Sequence, residues 1–326
     1  MRPALLALLI STIMAFVPGQ PAHATTKITV GVLAFGTVSW MLDTIQRNGF
    51  DKAEGIELDV VSLASKDATA VGLLGGSFDI IATDWLWVSR ERTGGADFSF
   101  SPFTTALGAI MVPPDSPIKT LADLKGKKLG VAGGPLDKSW LLIVAYALRT
   151  ANLDLRTETR QVYGAPPLLA EKSKQGEIDA VLNFWPYAAR LEAHGFKQLI
   201  GLEDVVSELG AKGEVAMIGF VFNDDWAKEN MQAIDGFLRA AAKADELLAT
   251  SNEAWDAIRP LMRAKDDATF EALRRRYREG IPERSIGQNE ADAKVLYQFL
   301  RELGGEKLVG RGAELAPGTF WKGSGS

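Results

Sequence analysis

Val112-Pro113-Pro114-Asp115-Ser116-Pro117, and then Lys128-Leu129-Gly130-Val131-Ala132-Gly133-Gly134-Pro135, decide the fold. The first stretch is a proline-rich joint, and the second is a buried strand closed by a glycine turn. After it come a strongly apolar helix over 139–150, a polar strand over 157–162, a helix over 166–175 and the strand Ile178-Asp179-Ala180-Val181-Leu182. The chain before the joint follows the same order. A strand Ile28-Thr29-Val30-Gly31-Val32-Leu33 leads to a helix over 38–49 and a strand over 56–63. A helix over 68–74, closed by Gly75-Gly76, then enters the strand Phe78-Asp79-Ile80-Ile81-Ala82. Strands separated by helices imply right-handed βαβ units and largely parallel sheets. From Asp224 onward the pattern is helical, over 233–248, 253–263, 267–278 and 290–303.

These patterns predict an α/β protein of two lobes, each a mostly parallel sheet flanked by helices, with two crossing strands over 106–113 and 214–223 as hinge. The first lobe takes residues 25–110 plus 222–322, and the second takes 111–221. The terminal Gly323-Ser324-Gly325-Ser326 reads as an appended tail outside the fold. Open α/β sheets bind ligands beyond the carboxyl ends of their strands, and here those ends face each other across a cleft.

Met1-Arg2, an apolar run over 4–17 and a segment ending Ala22-His23-Ala24 form the three parts of a secretory signal peptide, with cleavage expected after Ala24. The apolar run is shorter than the ~20 residues a membrane-spanning helix needs. No Cys follows it, which excludes a lipid anchor on cysteine. Lys+Arg 36 against Asp+Glu 41 gives a net charge of −5, and loss of Arg2 with the signal makes it −6. That acidity argues against a nucleic-acid partner.

The absences narrow the chemistry. With no Cys in the chain, disulfides, thiolate nucleophiles and thiolate metal sites are excluded. Only His194 remains after the signal, in Glu192-Ala193-His194-Gly195 at a helix end, where it reads as a capping residue and not a base. No cofactor is expected, and no metal beyond an oxygen-ligated hard cation.

Three stretches carry a family resemblance. They are Gly75-Gly76-Ser77-Phe78-Asp79-Ile80, the segment 112–131, and Gln175-Gly176-Glu177-Ile178-Asp179-Ala180 with Pro186-Tyr187 downstream. The second resembles the family segment V-P-x-D-S-P-I-K-x-x-x-D-L-K-G-K-K-V-A-V over its whole length. The chain is similar to periplasmic solute-binding proteins of ABC importers, in the nitrate/sulfonate/taurine class that includes thiamine-pyrimidine binders. The resemblance implies the type II periplasmic-binding-protein fold, a periplasmic monomer, a small-molecule ligand, an inner-membrane ABC permease as partner, and no catalysis. Where the family commonly has Trp-Asp-Pro-Tyr, this chain has Phe184-Trp185-Pro186-Tyr187, an indole in place of the carboxylate. Two enzyme groups share the fold. Hydroxymethylbilane synthase needs a cofactor-anchoring Cys and thiamine-pyrimidine synthases a Cys-rich motif with His residues; this chain lacks both.

Trp40, Trp85, Trp140 and Trp185 all lie near strand ends on the cleft side, where indole faces stack on flat rings or hold cations. Helix-to-sheet packing is the alternative for each. Phe35 follows the first strand, Lys66 and Asp67 follow the second, and Asp84 ends the third. Asp137, Lys138 and Ser139 open the helix after Gly133-Gly134, where exposed N–H groups favour anions, although Asp137 and Ser139 also suit N-capping. Asn183 is the side-chain amide candidate. Arg274-Arg275-Arg276-Tyr277-Arg278 reads as a solvated helix face. The indoles and Asp84 point to an aromatic or heterocyclic ligand; Lys138 at a helix start favours the alternative, a small organic anion of the sulfonate or nitrate kind. A periplasmic sensor feeding a receptor kinase would use the same fold.

Overall fold

The computed structural model describes residues 25–323, so the signal segment 1–24 lies outside the described residues. Ten strands form two sheets: β1 (Thr26–Leu33), β2 (Ile56–Leu63), β3 (Ile80–Asp84), β4 (Phe98–Thr104), β5 (Ala109–Val112), β6 (Lys128–Ala132), β7 (Arg160–Gly164), β8 (Ala180–Asn183), β9 (Lys197–Gly201) and β10 (Ile218–Asn223). The first sheet runs β2-β1-β3-β10-β4 and the second β7-β6-β8-β5-β9. Each has a parallel trio, with β1 between β2 and β3 and β6 between β7 and β8. In each, the fourth strand is antiparallel to both neighbours. That strand is the exchanged one: β5 follows the first sheet in sequence yet joins the second, and β10 does the reverse.

The two-lobed α/β architecture is therefore present. The chain passes between sheets through Thr105-Ala106-Leu107-Gly108 and returns between β9 and β10; β5 and β10 each pair within one sheet and do not span both. Gly108 is needed at the first passage, because a Cβ there would stand 2.1 Å from the Asn183 carbonyl oxygen.

Helices fill the gaps between strands and bury their apolar stripes on the sheets. Helix Val38–Arg47 buries Trp40, Met41, Leu42 and Ile45. Helix Lys138–Ala151 is apolar on nearly every side, because the C-terminal helix Ile286–Val309 packs over it. Ile286–Val309 also packs on helix Trp85–Thr93, so the C-terminal segment touches both lobes and not the first alone. Arg275 and Arg276 depart from the solvated-face expectation too. Both reach Glu192 of helix Trp185–Ala193, at 2.7 and 3.1 Å, and tie helix Asp267–Glu279 to the second lobe. No helix among the described residues is long and apolar enough to cross a membrane.

Candidate functional site

A cavity of about 240 Å³ lies between the lobes. Its floor is the passage Ala106-Leu107-Gly108 with Met217 and Ile218 beside it, the two places where the chain changes sheet. The first lobe contributes Phe35, Thr37, Lys66, Thr83, Phe103 and Thr104; the second contributes Lys138, Ser139, Pro166, and Phe184 to Tyr187.

Each side chain arrives there for a local reason. Thr37, the N-cap, and Val38, the first residue, bring the start of helix Val38–Arg47 to the cavity. The cap makes no side-chain hydrogen bond, and with the Trp40 N–H donating to the Thr37 carbonyl at 3.1 Å, the Val38 and Ser39 N–H groups are left without an internal acceptor. Gly133 and Gly134, at φ 84° and 94°, turn the chain after β6, a conformation that costs other residues energy. The turn delivers Asp137 as N-cap of the next helix, where its carboxylate accepts the Ser139 N–H at 2.9 Å. Asn183 is fully buried; its amide donates to the Pro166 carbonyl and its oxygen accepts the Phe184 N–H, both at 2.9 Å. It shapes the wall without lining it.

Charges concentrate on one side. Lys138 Nζ lies 3.1 Å from Asp84 Oδ2 across the cleft, and Asp84 Oδ1 accepts the Trp87 N–H at 3.0 Å. Burial alone would raise the Asp84 pKa, but Lys138, Lys66 and the Trp87 N–H together hold it below the usual carboxylate range. Burial would likewise lower Lys138; Asp84 and Asp137 outweigh it and the pKa is raised. Repulsion from Lys138, followed by desolvation, brings Lys66 below the usual lysine range. The Lys66 ammonium stands over the Phe184 ring, 5.5 Å from its centroid, a second link between lobes.

Of the residues read from the sequence, Phe35, Lys66, Lys138, Ser139 and Trp185 come together on the cavity wall. Asp84 stands behind Lys138 as its partner. The others serve differently. Trp40 is 4% exposed and lies edge-on to Trp185 and Trp255 within an aromatic cluster that includes Tyr277. Trp85, at the first position of its helix, and Trp140, at the third of its own, are buried in the core beside their sheets. Trp85 keeps an indole N–H with no acceptor. Asp67 is exposed in the first turn of helix Lys66–Leu74, and Asp137 is spent on capping. Trp255, on helix Asn252–Met262, belongs to the Trp40–Trp185 cluster. His194 is a helix C-cap, its ring Nδ1 at 2.8 Å from the Arg190 carbonyl.

Sequence reasoning missed Thr37, Thr83, Phe103, Thr104, Phe184, Pro186 and Tyr187 as lining residues. Phe184, Pro186 and Tyr187 were within reach. They flank Trp185 at a helix start, where successive side chains have not yet divided into inner and outer faces. Among the described residues, no group of three or more His, Cys, Asp or Glu is placed to hold a metal ion.

Comparison with known proteins agrees with this architecture. The model of the NMT1/THI5-like family matches residues 44–254. A protein of Escherichia coli (strain K12), named for the inferred binding of aliphatic sulfonates, is 27% identical over 181 residues, 55% of this chain and 53% of that one. The chain thus matches about half the length of this curated relative. The crystal structure of the periplasmic aliphatic sulphonate binding protein SsuA from Escherichia coli superposes with a TM-score of 0.70 at 21% identity, over 91% of this chain and 92% of that one. The alkanesulfonate-binding protein SsuA from Xanthomonas axonopodis pv. citri, bound to MOPS, gives 0.65 at 18% identity over 91% and 98%. An ABC transporter protein from Parabacteroides distasonis gives 0.68 at 14% over 91% and 99%. At such identities these likenesses speak for the fold.

Proposed function

Because the chain belongs to the NMT1/THI5-like family, we propose that it is a periplasmic solute-binding protein that delivers a small molecule to an ABC permease and catalyses nothing. Its lobes, 25–104 with most of 218–322 and 109–208, turn about the passages at 105–108 and 209–217, since β5 belongs wholly to the second sheet and β10 to the first. The ligand is a flat, aromatic or heterocyclic molecule that carries an anionic group. The observation behind this reading is the composition of the cavity wall. Phe35, Phe103, Phe184, Trp185 and Tyr187 offer apolar faces from both lobes, while Lys66 and the uncapped start of helix Val38–Arg47 offer positive potential beside them. An anion alone would leave the apolar side of this wall unmatched, and a neutral ring would leave the Lys66 charge unmatched. The sulfonate-binding names of the curated relative and of the structural neighbours support the anionic half of this ligand.

Calorimetric titration with benzenesulfonate, methanesulfonate and benzamide tests both halves. Benzenesulfonate is expected to bind tightest, because it alone has ring and charge. Trp185→Ala, checked for folding by circular dichroism, should weaken it by roughly ten- to a hundredfold, about 1–3 kcal/mol for truncating a buried aromatic contact. Trp226→Ala, outside the cavity wall, should leave it unchanged. Equal binding of benzamide and benzenesulfonate would remove the anionic group from the proposal, and equal binding of the two sulfonates would remove the ring.

A further inference from the structure

Two ammoniums and one carboxylate meet where the lobes face each other. Lys138 opens a helix of the second lobe, and Asp84 ends β3 of the first. Their side chains are only 10% and 17% exposed, at 3.1 Å. Both Asp84 oxygens are engaged, one by Lys138 and one by the Trp87 N–H. Of the other nearby carboxylates, Asp137 is turned to the Ser139 N–H and Asp67 is exposed on the first turn of helix Lys66–Leu74, and neither is part of the cavity wall. Lys66 lines the same cavity, and among the described residues no carboxylate lies within ion-pair distance of it; its neighbour there is the Phe184 ring.

We propose that Asp84 sets the charge this cleft accepts: by holding Lys138 from the opposite lobe it leaves Lys66 as the uncommitted ammonium on the wall, so the cleft takes a singly charged organic anion and turns away a doubly charged one. This deepens the preceding reading and rests on it. A ligand with one negative charge pairs with Lys66 and leaves the Asp84–Lys138 bridge intact. Once the lobes turn toward each other over the ligand, a second negative charge has two options, and both are costly. Left unpaired, it forfeits its hydration without a countercharge. Drawing Lys138 to itself, it strands the Asp84 carboxylate, buried and ionised, beside an anion. In the native arrangement Lys138, Lys66 and the Trp87 N–H hold Asp84 ionised, so pulling Lys138 away removes the largest of the groups that offset its burial.

The test uses two ligands of nearly equal shape and different charge. Benzenesulfonate carries one charge, and phenylphosphonate at about pH 8.5 carries two, its second ionisation lying near neutrality as for phosphate esters. Both are titrated calorimetrically, at one pH and ionic strength, into the native protein, Asp84→Asn and Asp84→Ser. Asn and Ser both cap helix N-termini well, so the start of helix Trp85–Thr93 keeps its acceptor. Circular dichroism checks folding, and two variants guard against failure of one. The native protein is expected to favour the sulfonate by about tenfold or more, and each variant, with Lys138 released, to shrink that preference at least tenfold. A preference unchanged in both variants, with benzenesulfonate still bound, overturns this inference and leaves the binding reading standing. Native preference for the phosphonate also overturns it. No binding of either ligand to the native protein overturns both.

Discussion

Asp245 gives the most quantitative handle on the aromatic cluster that backs the cleft. It projects from helix Met231–Thr250, and its Oδ1 accepts the Tyr277 hydroxyl at 3.3 Å. Tyr277 packs in turn on Trp40 and Trp185, the latter on the cavity wall. Burial raises the Asp245 pKa from 3.8 to about 7, the hydroxyl opposing only in part. A folded-state pKa above the unfolded one means that the folded protein binds the extra proton. The contribution of Asp245 to stability is therefore greatest below about pH 4, falls as pH rises through the folded value, and is flat above it. At ~1.4 kcal/mol per pH unit, that interval amounts to roughly 4 kcal/mol, an upper bound because water reaches part of this residue. Asp245→Asn keeps the shape and removes the charge. In guanidinium unfolding at a series of pH values, the variant should match the native protein near pH 4 and gain steadily up to about pH 7. By pH 8 it should be more stable by as much as ~4 kcal/mol. Tyr277→Phe removes the hydrogen bond that favours the carboxylate, so it should move the end of the slope to higher pH. A stability difference between Asp245→Asn and the native protein that is the same at pH 4 and pH 8 would refute this account.

Two further predictions concern packing. Trp85→Ala should cost about 3–5 kcal/mol in denaturant unfolding, as for a large core side chain. Trp85→Phe should cost clearly less, because the buried indole N–H that it removes has no acceptor to lose; equal losses for the two variants would contradict this. Gly108→Ala should destabilise by about 1–3 kcal/mol, since the added methyl meets backbone and not a movable side chain. A melting temperature equal to that of the native protein would show that the passage has slack.

The layers were legible in the sequence where periodicity was clean. β2 and β6 fall where the strand patterns of 56–63 and 128–132 put them. β4 escaped because Phe98-Ser99-Phe100-Ser101-Pro102 alternates like a half-exposed strand and carries a proline, though nearly all of it is buried. Its place at the sheet edge is what tolerates Pro102. β9, Lys197–Gly201, is short and polar at one end, and only its pairing with β5 makes it a strand. The site was half legible for a related reason. A residue at a strand-to-helix junction points either into the cleft or under the sheet, and one or two positions decide which. Trp185 and Trp85 each open a helix, yet one lines the cavity and the other is sealed in the core. The floor, with Ala106, Leu107, Gly108 and Met217, comes from the passages between sheets, where no local pattern marks a binding surface.

The exchange of β5 and β10 has a consequence in time. As the chain emerges from its N-terminus, β1, β2 and β3 can assemble at once, but β4 cannot join them. Its hydrogen-bonded strand partner is β10, with Thr104 waiting for Ile218, and the small bridge from Phe100 to Phe320 forms later still. Every strand of the second sheet lies within 109–201, so the sheet begun second is completed first. Until residue 223 arrives, β3 carries an open edge, the kind of surface that pairs with other chains. The first lobe therefore closes beside a finished second sheet, and the cavity floor forms with the last strand to join a sheet. A chain cut short before β10 would keep one complete sheet whose helix Lys138–Ala151 lacks the cover of Ile286–Val309, and one sticky edge, and would have no cleft at all.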